Sequence, residues 1–129
     1  MFHDLGLTAH YRSDDKRFEV DSANAARDFL QGYGVSPQSI QLVWDTIALH
    51  TSPGIAEYKE PEVALLNYAA ALDVIGKGYD QLLNADREEI VKQFPRNELK
   101  KNMINVFLMA LNTSRILPMA VSMRIFAHV

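Results

Sequence analysis

Between Pro61 and Gly76 the chain carries a run that few architectures can accommodate: residues 63–75 read Val-Ala-Leu-Leu-Asn-Tyr-Ala-Ala-Ala-Leu-Asp-Val-Ile. Apolar side chains stand nearly all round the helical wheel, proline opens the run and Gly76 and Gly78 close it. The run is therefore predicted to be a helix over Pro61–Ile75 placed at the centre of the fold. It falls short of the roughly 20 apolar residues of a membrane span, as does every other window.

Four further segments show helical spacing. The first covers about 21–33, with Asp21 or Ser22 as cap, Gly34 as stop and Ala25, Ala26, Phe29 and Leu30 as apolar stripe. The second covers about 37–50, with Ser36 capping, Pro37 at the first turn and Ile40, Val43, Trp44, Ile47 and Ala48 on one face. A fourth starts at Asp86, with Glu89 at capping-box spacing, and ends before Pro95; a fifth is capped by Asn97 and ends near Asn112. No segment reads as a strand. The expectation is an all-α bundle of about five to six helices over residues 1–112, followed by a divergent tail over 113–129. The loop over 8–20 is polar and holds Arg12, Asp14, Asp15, Lys16 and Arg17.

Composition narrows the chemistry. Thirteen basic and 16 acidic residues leave a net charge of −3, which offers no electrostatic footing for nucleic acid or an anionic membrane. With no cysteine, a disulfide scaffold, a thiolate metal site and a cysteine nucleophile are excluded. No signal peptide is evident at the N-terminus, so a cytoplasmic location is expected. Glycine-rich phosphate loops, a Gly-x-Ser-x-Gly elbow and a His-Glu-x-x-His pair do not occur.

Few residues remain to carry a reaction. His3 and Asp4 are adjacent, a common dipeptide that also suits a solvated terminus. Asp73 sits between Leu72 and Val74 in the most apolar helix, where an unpaired carboxylate costs several kcal/mol and so needs a cation, a capping amide or an arginine. His50 ends the second helix, where an imidazole either faces a site or meets the helix dipole. Glu19 is a general acid or base if it faces the same pocket, whereas Asp21 reads as a cap. His10 is a weaker candidate and His128 a surface residue. Lys59 and Glu60 read as a solvated loop, and Met103, Phe107 and Met109 as core.

His-Asp-Leu-Gly (3–6), with the distant Asp73 in Ala-Leu-Asp-Val-Ile-Gly (71–76), resembles the signature of the HD superfamily of all-α metal-dependent hydrolases. Three longer stretches are similar to its cyanamide hydratase-like branch: Arg-Phe-Glu-Val-Asp-Ser-Ala-Asn-Ala-Ala-Arg-Asp-Phe-Leu (17–30), Trp-Asp-Thr-Ile-Ala-Leu-His-Thr-Ser-Pro-Gly-Ile-Ala (44–56) and Lys-Glu-Pro-Glu-Val-Ala-Leu (59–65). The resemblance implies a mononuclear zinc or iron site with His3, Asp4 and Asp73 as ligands. It places His50 near the open coordination position and gives Glu19 a part in proton transfer. The substrate is a small polar molecule such as a nitrile, attacked by metal-activated water. The family takes its first His ligand from a helix upstream of the His-Asp pair, and only Met1 and Phe2 precede His3, so an N-terminally incomplete HD domain is expected. A set with one His and two Asp is poor in nitrogen for zinc. Two alternatives stay open: an inactive helical module that binds a partner or a second copy through an exposed groove beside the third helix, and a phosphohydrolase using Arg12, Lys16 and Arg17.

Overall fold

The expected all-α class holds. The computed structural model describes residues 2–111, and the regular elements among them are all helical. Five α-helices run over Phe18–Gln31 (α1), Pro37–Ala48 (α2), Pro61–Ile75 (α3), Asn84–Gln93 (α4) and Leu99–Leu111 (α5). Short 3-10 helices cover Phe2–Leu7, Ala56–Tyr58 and Tyr79–Gln81. The chain divides into two compact units, Met1–Ala71 and Leu72–Val129, with the boundary inside α3. The expected tail over 113–129 lies outside the described residues.

In the first unit, α1 packs on both the N-terminal 3-10 helix and α2. Ala23, Ala26 and Ile47 are buried at the contact, with Phe2, Val43, Trp44 and Ala48 packed around them. Small alanines let the two helices approach closely, and the Trp44 Nε1–H reaches Asn24 Oδ1 at 3.0 Å, so the half-buried indole keeps its hydrogen bond. The predicted face of α2 is thus the one it buries. Its predicted cap also forms, with Ser39 N–H donating to Ser36 Oγ at 3.2 Å.

The start of α1 differs from the sequence expectation. It begins at Phe18, on an extended Arg17, and neither Asp21 nor Ser22 caps it. Both are buried and brace other segments instead. Asp21 accepts from Ser13 N–H at 2.8 Å and from the Ser13 hydroxyl, and Ser22 Oγ accepts from Gly6 N–H at 2.8 Å. The buried face of α1 comprises Phe18, Glu19, Ser22, Ala23 and Ala26, and Phe29 of the expected stripe is half exposed. Polar residues that satisfy neighbouring segments displaced the apolar pattern by part of a turn. The helix ends as expected: Gly34 takes φ +69°, and Val35 N–H donates to Leu30 O, closing the last turn.

The central placement expected for α3 is not observed. Val63 and Asn67 are its buried residues, while Leu65 is 67% exposed. A helix that is apolar all round has no preferred face of its own. Its orientation is set here by a polar contact, Asn67 Nδ2 donating to the His50 carbonyl at 2.9 Å. Lys59, expected in a solvated loop, pairs with Asp45 of α2 at 2.9 Å.

In the second unit, α4 starts two residues before the expected Asp86 and has no side-chain cap. Asn97 does not cap α5. It lies in the turn before that helix, where Asn97 and Glu98 both take positive φ. Arg87 lies over the Tyr79 ring, 4.2 Å from its centre.

Candidate metal centre

The His-Asp motif lies within the N-terminal 3-10 helix, where Gly6 sets how closely that helix meets α1. A Cβ on Gly6 would stand 2.1 Å from the Phe18 carbonyl oxygen and within 3 Å of two more Phe18 backbone atoms. Only glycine allows this approach, which brings His3 and Asp4 to the turn that follows α2. There the His50 side chain is 3% exposed, against 31% for His3 and 43% for Asp4.

Asp4 lies between two imidazoles. Its Oδ2 is 3.0 Å from His3 Nε2, and its Oδ1 is 3.6 Å from His50 Nε2. The two rings meet edge to face with centres 5.1 Å apart, and the Phe18 ring packs edge-on against His50 from behind. His50 Nδ1 is 2.7 Å from the Ile47 carbonyl oxygen. A carbonyl only accepts, so Nδ1 donates there, and Nε2 is the ring nitrogen that faces the Asp4 carboxylate.

Burial pushes the Asp4 carboxyl up, but the hydrogen bond to His3 and the nearness of His50 outweigh it and hold the group well below the usual carboxylate range. A depressed folded-state value means that Asp4 stabilises the metal-free protein fully above the unfolded value near 3.8, and that this contribution is lost as pH falls through the lower folded value. The acid limb of a stability–pH curve should therefore be shallower for Asp4→Asn than for the natural chain. Parallel curves below pH ~4 would show that Asp4 has no such linkage.

His3, Asp4 and His50 each offer one ligand atom, and these atoms all lie within 4.8 Å of one another. The donor set fits a borderline transition metal: two imidazoles and one carboxylate are the ligand types of catalytic zinc and of open iron sites, and three protein donors leave a coordination position for water. The Nδ1–H bond to a backbone carbonyl is the usual support behind a metal-binding histidine. His50, expected near the open coordination position as a supporting residue or substrate contact, lies in the cluster and would offer a second nitrogen to an ion held there.

Asp73, expected to be buried with a cation, a capping amide or an arginine as partner, is exposed in the second unit. Its partner there is an arginine, with Arg96 donating to its carboxylate and, at 3.0 Å, to its backbone carbonyl. The sequence alone could not show this pairing, because 23 residues separate the partners. Glu19 is 1% exposed and engaged by Arg17 and Thr51. His10 is exposed, its ring edge-on to Tyr11. Asn67, which supports the His50 carbonyl, went unnoticed in the sequence. Its one signal is an amide amid an apolar helix.

No helix among the described residues is long and apolar enough to cross a membrane. No protein-family model, curated protein or solved structure matches this chain.

Proposed function

We propose that the chain is an HD-type metal-dependent hydratase or hydrolase, binding zinc or iron and acting on a small polar electrophile such as a nitrile. The observation that carries this reading is the convergence of His50, the Asp4 carboxylate and His3, whose ligand atoms lie within 4.8 Å of one another. A bound ion there would supply an acidified water as nucleophile near neutral pH. The chain's own residues do the rest. Ile47 holds the His50 ring in one tautomer, and Phe18 backs that ring with an apolar edge. His3 and Asp4 are partly exposed, which leaves the donors reachable by a small solute. Addition of water across the C≡N bond of cyanamide, with its two protons going to nitrogen, gives urea.

A phosphate ester is the less suitable substrate. Of the three loop cations, Lys16 is held by Asp15 and Arg17 by Glu19. The alternative of a helical interaction module draws on the exposed apolar residues Leu65 and Tyr58, 67% and 85% exposed.

Metal analysis of the purified chain tests the proposal, with His3→Ala, His50→Ala and Asp73→Ala beside it. Stoichiometric zinc or iron is expected in the natural chain and absent from both histidine variants. Retention in Asp73→Ala identifies the donor set of the first unit, whereas loss there identifies the set implied by the HD resemblance. Urea released from cyanamide, with no phosphate released from aryl phosphates, separates hydratase from phosphohydrolase. Metal-free protein that folds normally and stays inert with added zinc or iron would leave the interaction module.

A further inference from the structure

We propose that Glu19 is a positioning residue that holds the turn carrying His50, acting through Thr51 rather than by exchanging protons in the site. Resting on the metal-centre reading above, this deepens it by naming what keeps its most buried donor in place.

Glu19 is a carboxylate at 1% exposure, and both of its oxygens are engaged. Oε1 accepts from Arg17 Nη2 at 2.5 Å and from the Thr51 hydroxyl, while Oε2 accepts from Arg17 Nε at 3.3 Å. Arg17 also donates to Thr51 Oγ1 at 3.2 Å, which closes a three-membered ring of side chains. Thr51 directly follows His50 in the chain. On the other side, Asn67 of α3 donates to the His50 carbonyl at 2.9 Å. The backbone of the turn is therefore held from α1 and from α3, and the Nδ1–H of His50 meets the Ile47 carbonyl within that frame.

Stability is a poor reason for such an arrangement. Burying the Glu19 carboxylate costs desolvation that a well-packed apolar side chain of similar volume would avoid, and its partner Arg17 stays half exposed. What the carboxylate adds is direction: it tells the Thr51 hydroxyl, and with it the adjacent His50, where to lie. The charge of Glu19 in turn holds Arg17 more firmly protonated than an ordinary guanidinium, against the burial that opposes it. Residues behind a metal-binding histidine commonly matter about 10- to 100-fold in metal affinity.

The test uses Co²⁺ alone as probe, with Glu19→Gln, Thr51→Val and Thr51→Ser variants of the full chain. Thr51→Val keeps the shape and removes only the hydroxyl, so it serves even where Glu19→Gln fails to fold. Expected are Co²⁺ affinities lower by about 10- to 100-fold in Glu19→Gln and Thr51→Val, altered visible bands of the bound ion, and recovery in Thr51→Ser. A second readout needs no metal: imidazole ¹⁵N shifts of His50 in the metal-free chain, expected to show one Nδ1–H tautomer in the natural protein and a mixture in Thr51→Val. Should the natural chain bind no Co²⁺ while the tautomer is lost in Thr51→Val, the metal reading falls and the positioning role stands. Unchanged His50 shifts in a folded Thr51→Val overturn the positioning role, whatever the metal result.

Discussion

Gly6→Ala should detach the N-terminal 3-10 helix from α1 and abolish metal binding while leaving most of the helix content intact. The added Cβ would meet the Phe18 carbonyl oxygen at 2.1 Å, its carbonyl carbon at 2.8 Å and its Cα at 2.9 Å. All three are backbone atoms at the start of a helix, so no flexible side chain can swing aside. Overpacking of this kind costs roughly 1–3 kcal/mol. Separation also breaks the 2.8 Å bond from Gly6 N–H to the buried Ser22 hydroxyl, leaving a buried polar group worth roughly a further 1–3 kcal/mol unsatisfied. The sole tryptophan, Trp44, packs at the α1–α2 contact beside Phe2, so its fluorescence reports on the unit directly. A lowered melting midpoint by that probe and the loss of bound zinc are expected together. Gly34→Ala is the control: it has open space within 4 Å but φ +69°, so it should cost only about 1 kcal/mol and spare the metal. A Gly6→Ala chain that melts and binds zinc like the natural one would remove the steric account of the motif.

Zinc itself should stabilise the unit that carries the site. A ligand that binds only the folded form at 100 times its dissociation constant contributes about 2.7 kcal/mol. For a unit of this size that corresponds to a rise of roughly 10–20 °C in the melting midpoint. Trp44 fluorescence should show the rise, a chelator should reverse it, and His50→Ala should eliminate it. The last expectation is the sharper one. His50 is almost wholly buried with its Nδ1 proton committed to Ile47, so its removal deletes a preorganised donor rather than a mobile surface group. A zinc-induced rise of the same size in His50→Ala would mean that the ion sits elsewhere.

Gly6 decides whether the 3-10 helix can reach α1, and that approach decides whether Asp4 lies between two imidazoles. The depressed Asp4 carboxyl follows from the same closeness, since burial alone would move it the other way. One glycine without a side chain therefore governs the electrostatics of the His3–Asp4–His50 cluster.

Local signals in the sequence determined the helical class, the full span of α3, the cap and buried face of α2, and the presence of a His-Asp pair ahead of a helical bundle. Periodicity, proline entry, serine capping and glycine exit act over a few residues, so they can be read without a fold. Tertiary structure alone decided which polar residues α1 buries, that Arg96 pairs with Asp73, and that His50 comes to Asp4. Each of these depends on residues well separated in the chain, which local spacing does not report. Glu19, a candidate acid or base, and Ser22, expected as a cap, are buried against distant partners, and Asp73, expected to be buried, is exposed with an arginine. The physical reason is that a helix's apolar pattern chooses its face only when no hydrogen-bonded contact competes. At α1 and α3 the contacts of Glu19, Ser22 and Asn67 fix the orientation in which these helices sit.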